Sequence, residues 1–180
     1  NSGTVIVSTE AGSNTVYGSA GVDWIYGSAN GGTNQVWGGA GADVFYVGIR
    51  RDAATGNTTT VASRDLIWDW EQGTDVLNVA SGATAVIAGR MNESWAIANS
   101  VDLRSGVTNN GTVVVALGDG DDAFVGSSGV DFVYGGRGTN TITGGAGNDH
   151  FFVGFNYNPV LDTRSELGAT DAAIDVIQDW

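Results

Sequence analysis

The sequence predicts an all-β fold, a right-handed parallel β-roll (a β-solenoid) in two tandem copies, and three observations predict it. A unit of about nine residues recurs through two stretches of the chain. Three columns of that unit keep their chemistry at every recurrence. The chain also holds 29 glycines against one proline, so glycine serves a repeated backbone conformation.

Four units follow one another: TEAGSNTVY (9–17), GSAGVDWIY (18–26), GSANGGTNQVW (27–37, two residues longer) and GGAGADVFY (38–46). The set returns as LGDGDDAFV (117–125), GSSGVDFVY (126–134), GGRGTNTIT (135–143) and GGAGNDHFF (144–152). The lead-in segments match as well, NSGTVIVS (1–8) against NNGTVVVA (109–116). Column four is always glycine: Gly12, Gly21, Gly32, Gly41, Gly120, Gly129, Gly138 and Gly147. Column six is always Asp or Asn: Asn14, Asp23, Asn34, Asp43, Asp122, Asp131, Asn140 and Asp149. Column eight is always β-branched or aromatic: Val16, Ile25, Val36, Phe45, Phe124, Val133, Ile142 and Phe151.

Each column has a physical role. The glycines let the backbone take positive φ in a tight turn and expose its carbonyl oxygens, and the triplet that follows makes a short strand with one side chain pointing inward. One unit cannot bury its single apolar residue, whereas stacked units build a continuous ladder of parallel strands. Two units make one flattened coil, so units one and three share a side, as do units two and four. The expected domains are a first module at 1–80, a connecting segment at 81–108 and a second module at 109–180. Within the connecting segment, TAVIAG reads as a strand and SWAIANSVDL as a short helix. The second copy reaches Trp180 before any counterpart of EQGTDVLNV, which predicts a truncated module and a longer natural protein.

Composition narrows the function. Asp and Glu number 20 against seven basic residues, all Arg, for a formal net charge of -13. Nucleic acid is excluded as a partner because its binding needs clustered cations. An excess of carboxylates serves either solubility or the ligation of a hard cation that relieves their repulsion. The absence of cysteine removes disulfides, thiolate metal sites and a cysteine nucleophile. No apolar run is long enough to span a membrane.

GGAGADVFY and GGAGNDHFF resemble the G-G-x-G-x-D-x-U-x nonapeptide of the repeats-in-toxin (RTX) family, a calcium-binding parallel β-helix repeat. The segment GGAGADVFYVGIRRD followed by SRDLIWDWEQGTDVLNV is also similar to the end of the β-roll in serralysin proteases and to the R-modules of alginate epimerases. The second copy has GGAGNDHFFVG and then AAIDVIQDW in the same place.

Calcium takes six to eight oxygens, and a turn offering carbonyls and a carboxylate supplies about half a shell. Pairing turns on the same side places Asp23 with Asp43 and Asp131 with Asp149. The resemblance implies carbonyl ligands from Ser19, Gly21, Gly38 and Ala40 in the first copy, and from Ser127, Gly129, Gly144 and Ala146 in the second. On the other side, Asp122 with Asn140 makes a weaker site, and Asn14 with Asn34 an asparagine ladder along the stack. Below the last turn the resemblance extends to Asp52, Asp65 and Asp75. Asn158 stands in the place of Asp52 and Asp175 in the place of Asp65. The competing role for these aspartates is turn capping through Asx-type hydrogen bonds.

Catalytic patterns are missing. The one histidine, His150, occupies a strand column, and neither H-E-x-x-H nor a phosphate-binding loop occurs. Aromatic residues flank the inward position in units two and four: Trp24, Tyr26 and Tyr46, then Phe132, Tyr134 and Phe152. Such rows either form a sugar-stacking platform or are covered by the downstream Trp68, Trp70 and Phe155, and the following apolar sections favour cover.

The expected function is that of a non-enzymatic module that folds with calcium, belonging to a large secreted or cell-surface bacterial protein such as a surface-layer protein, adhesin or exoprotein. The resemblance implies type I secretion in an unfolded state. The alternative is a polysaccharide-binding accessory module of a secreted carbohydrate-active enzyme. Calcium ions are the expected partner, with surface polysaccharide or neighbouring copies of the chain as further partners.

Overall fold

A computed structural model describes residues 3–9, 11–27, 32–88, 100–168 and 173–179. The first repeat set forms β1 (Val5–Ser8), β2 (Thr15–Ser19), β3 (Asp23–Tyr26), β4 (Thr33–Gly39) and β5 (Val44–Val47). A hairpin of β6 (Ile49–Arg51) and β7 (Thr58–Thr60) follows, then β8 (Arg64–Ile67), β9 (Val76–Val79), β10 (Thr84–Ile87), β11 (Ser100–Asp102) and β12 (Val107–Asn109). The second set gives β13 (Thr112–Ala116), β14 (Ala123–Val125), β15 (Val130–Gly136), β16 (Gly138–Thr143) and β17 (His150–Val153). A second hairpin, β18 (Phe155–Asn158) and β19 (Thr163–Glu166), leads to β20 (Ala173–Ile177).

Among the described residues, every strand pairing apart from the two antiparallel hairpins is parallel, as the period requires. The chain alternates between two walls. One is a seven-stranded sheet in the order β17-β15-β13-β10-β8-β4-β2. The other consists of a five-stranded sheet, β1-β3-β5-β9-β12, and a four-stranded sheet, β11-β14-β16-β20. Pairing follows the columns: Val16 lies beside Val36, Ile25 beside Phe45, Phe124 beside Ile142 and Val133 beside Phe151. These inward residues line one apolar interior, where Ile25, Phe45, Phe124, Val133 and Ile142 are buried and Phe151, in an edge strand, is partly covered. Burying each contributes roughly 1.5–3 kcal/mol, so the interior column is the main apolar support of the stack.

The segment 81–108 contributes rungs. TAVI forms β10, which pairs with β8 of the first copy and β13 of the second, so the seven-stranded sheet runs unbroken through both copies. Most of the expected short helix in SWAIANSVDL lies outside the described residues, and Ser100–Asp102 are a strand paired with β14. The intervening rungs also exchange the walls. Units one and three of the first copy (β2, β4) share the seven-stranded sheet with units two and four of the second (β15, β17).

The glycine turns conform at Gly12, Gly41, Gly120, Gly138 and Gly147, all with positive φ. At Gly32 and Gly129 the backbone is ordinary, and close approach is the constraint instead. A Cβ there would strike the Gly12 carbonyl and the Asn109 carbonyl respectively.

Candidate metal centre

Because the strands stack in register, column six builds ladders along the turns. Asp23 donates its backbone N–H to Asp43 Oδ1 at 2.8 Å, and Asp43 donates its own to Asp75 Oδ1 at 2.9 Å. In the second copy Asp131 N–H reaches Asp149 Oδ1 at 3.0 Å. On the opposite wall Asp122 N–H reaches Asn140 Oδ1 at 3.0 Å, and Asn140 Nδ2 donates to Asp175 Oδ1 at 2.7 Å. Asn14 donates both N–H and Nδ2 to Asn34 Oδ1, each at 3.1 Å, and Asn34 Nδ2 donates to Asp65 Oδ1 at 2.5 Å. The asparagine ladder is therefore present and ends on Asp65.

The structure thus brings Asp23 beside Asp43 and Asp131 beside Asp149. Six of the eight nominated carbonyls lie against the neighbouring turn of the stack. A Cβ on Gly39 would collide with the Ser19 carbonyl and one on Gly41 with the Gly21 carbonyl. A Cβ on Gly18 would collide with the Gly38 carbonyl. In the second copy Gly145 and Gly147 face the carbonyls of Ser127 and Gly129, and Gly126 faces that of Gly144. Ala40 and Ala146 hold the stack by donating their N–H groups to Ser19 O at 3.1 Å and Ser127 O at 3.2 Å.

Turn capping is also realised, in the earlier turn of each pair. Asp23 Oδ2 accepts Ser19 N–H at 2.5 Å, and Asp131 Oδ2 accepts Ser127 N–H at 2.7 Å. These bonds fix each carboxylate against its own turn.

Electrostatics separates the later turn from simple capping. Asp23, Asp43, Asp65, Asp75 and Asp131 are at most 4% exposed. The three ion pairs among the described residues lie elsewhere: Arg64 with Asp162, Arg104 with Asp102 and Arg137 with Asp119. Burial is the largest influence on four of these carboxyls, raising Asp43 and Asp75, taking Asp65 to about 7 and Asp131 to about 6. Neighbouring Asp75, Asp23 and Asp69 push Asp43 further up, against the hydrogen bond from Asp23. Asp149 and Asp175 are raised for the same first reason. Asp43 Oδ2 and Asp175 Oδ2 are buried and accept no hydrogen bond.

A buried anionic oxygen with no donor is costly unless a cation meets it. Two carboxylates and several carbonyls between stacked turns fit calcium, which takes hard oxygen ligands in a flexible shell. Among the described residues no group of three or more His, Cys, Asp or Glu side chains converges as a metal site. Calcium held in such a gap would therefore need main-chain oxygens beside the carboxylates.

Asp52 departs from the expectation. It is exposed in the turn of the β6–β7 hairpin, where its Oδ1 accepts N–H bonds from Ala54 at 3.0 Å and Thr55 at 2.7 Å. None of its hydrogen bonds reaches Asp43, Asp65 or Asp75. Asn158 caps the β18–β19 turn in the same way, accepting from Val160 and Leu161 at 3.0 Å each. The position has a turn geometry that either residue satisfies, so the Asx role wins there.

Three residues at the turns were not among the nominated ligands. Asp69 accepts N–H bonds from Gly38 at 2.8 Å and Gly39 at 2.9 Å, and Asp179 accepts from Gly144 and Gly145. The signal was the shared I-x-D-W of 67–70 and 177–180. Asn109 is buried and its Nδ2 donates to Ser127 Oγ at 3.0 Å and Val130 O at 3.1 Å, closing the ladder above Asp131.

The aromatic rows are largely covered. Tyr26 stacks on Tyr46 with ring centroids 4.4 Å apart, and Tyr134 is sandwiched between Phe152 at 4.4 Å and Tyr157 at 4.6 Å. Phe155 packs edge-on against Phe152, as expected of the downstream section. The expected cover by Trp68 and Trp70 takes another form: Trp70 enters the coil interior, and Trp68 stacks on Trp37 of the seven-stranded sheet. Trp24 remains 39% exposed.

The family model of the RTX calcium-binding nonapeptide repeat matches residues 6–30, 28–49 and 117–154, four copies in all. No curated protein and no solved structure matches the chain. Among the described residues no helix is long and apolar enough to cross a membrane. The matched segments supply the turns that carry Asp23, Asp43, Asp131 and Asp149, and the chain accordingly carries RTX calcium-binding nonapeptide repeats in both copies of a parallel β-roll.

Proposed function

We propose that the chain is a non-catalytic, calcium-stabilised structural module of a large secreted or cell-surface bacterial protein. The observation that carries this reading is the burial of Asp23, Asp43, Asp65, Asp75 and Asp131 in the turn stacks with no ion-pair partner among the described residues. Such a stack is poorly held without an external cation, and the open chain has no preformed cage, so metal binding and folding are one event. The consequence is directional: a chain exported unfolded through a type I system would fold where calcium is plentiful. His150, the one histidine, stands exposed in β17 with its ring 4.4 Å from that of Phe132, which supports a strand role.

Circular dichroism in calcium and then in excess chelator tests the proposal. Most of the β signal is expected to disappear with the chelator and to return when calcium is restored. A spectrum indifferent to both additions would refute it.

A further inference from the structure

The outer face of the seven-stranded sheet carries a cavity of about 240 Å³ that the turn ladders do not use. Its floor includes Thr84 and Thr112, which stand in register with Arg64 across β8, β10 and β13. Phe132 forms a wall, and the β18–β19 hairpin supplies Tyr157 and Asp162. The Arg64 guanidinium ties the hairpin down, donating to Tyr157 OH at 2.7 Å, Pro159 O at 2.8 Å and Asp162 Oδ1 at 3.2 Å. Tyr157 OH in turn donates to Asp162. Burial, with the Asp162 bond added, pushes the Tyr157 hydroxyl up to about 12, so it remains a proton donor at neutral pH.

Asp162 has φ 53°, the one non-glycine residue with positive φ among those described. A conformation that costs an L-residue free energy persists where its surroundings hold it, and here it presents the carboxylate to Arg64 and Tyr157. The hairpin is thus held over the sheet by a polar cluster, leaving space beside an aromatic wall.

We propose that this cavity binds one ring of an uncharged sugar. Small ligand sites combine apolar walls with a few convergent polar groups, and about 300–1,000 Å³ is usual for drug-sized ligands, so this smaller space suits a single ring. Phe132 offers apolar contact to ring C–H groups, while two threonine hydroxyls, the guanidinium and the carboxylate offer donors and acceptors to ring hydroxyls. The Arg64 and Asp162 charges offset one another, so neither an acidic nor an amino sugar gains a counter-charge. The net charge of -13 further disfavours acidic sugars.

The test is amide NMR of the calcium-loaded chain, titrated with methyl glucoside, methyl galactoside and methyl mannoside, with methyl glucuronide and glucosamine as charged controls. At least one neutral glycoside is expected to shift the Thr84 and Thr112 amides saturably, and both charged sugars to bind at least tenfold more weakly. Thr112→Val is expected to weaken binding roughly tenfold, the scale of one lost hydrogen bond, with circular dichroism unchanged. Asp162→Asn leaves Arg64 uncompensated and is expected to reverse the preference toward methyl glucuronide. No saturable shift with any neutral glycoside, or equal shifts from glucoside and glucuronide in the unsubstituted chain, would overturn the proposal. Binding insensitive to both substitutions would overturn it as well. Circular dichroism of the same samples separates such a failure from loss of the calcium-dependent fold.

Discussion

Asp43→Asn is expected to weaken calcium binding at the first-copy site by about a hundredfold, roughly 3 kcal/mol, while making the metal-free chain more stable. Asparagine keeps the Oδ1 that accepts Asp23 N–H at 2.8 Å. It replaces the unpartnered Oδ2 with an amide and removes a charge that Asp75, Asp23 and Asp69 oppose. Without metal that charge destabilises the folded state, and with metal it is a ligand, so one substitution changes sign with the solution. Calorimetric titration with calcium and the β signal that survives in chelator read the two effects. Asp52→Asn serves as the control, because Asp52 is spent on its own hairpin turn and should leave the calcium affinity unchanged. Equal destabilisation of Asp43→Asn in both solutions would mean that Asp43 is a structural hydrogen-bond acceptor only.

The second large effect is a reversal of the pH dependence of stability by calcium. Asp65 is raised from 3.8 to about 7 and Asp131 from 3.8 to about 6, in both cases chiefly by burial. Between the unfolded and folded values the native state holds more protons than the unfolded chain, so stability rises as pH falls through that window. The contribution is fully present below about 3.8 and is lost as pH rises past about 6 for Asp131 and about 7 for Asp65. For Asp65 it amounts to roughly 4 kcal/mol. In chelator, acidification from pH 8 to pH 5 is therefore expected to restore part of the lost β signal. In saturating calcium the order inverts, because protons compete with the metal for the same oxygens. Circular dichroism in chelator and thermal melts in saturating calcium, each at the two pH values, check both signs.

What the sequence made legible follows from the period. A nine-residue repeat with Gly, Asp or Asn, and an apolar residue in fixed columns leaves one arrangement in which every apolar column is buried. Asp23 beside Asp43 and Asp131 beside Asp149 follow from that arrangement alone. The Asn14 and Asn34 ladder was readable for the same reason.

The central rungs were harder to see because most of them carry no turn signature. Thr84–Ile87 and Thr112–Ala116 are short apolar runs without Gly-x-Asp turns, only Val76–Val79 follows one at Gly73 and Asp75, and their partners lie tens of residues away. Parallel pairing at such separation leaves no local mark. The exchange of walls between copies depends on how many rungs intervene, which only the fold reveals. Asp52 was misplaced because spacing relative to a family pattern does not register that a hairpin carries the residue out of the stack.

The most direct measurement is an anomalous difference map from crystals grown in calcium. Peaks are expected in the gap between the turns bearing Asp23 and Asp43, and in the gap between those bearing Asp131 and Asp149, with carboxylate and main-chain oxygens around each. Well-ordered turns with no peak in either gap, at a calcium concentration that supports the folded state, would contradict the account.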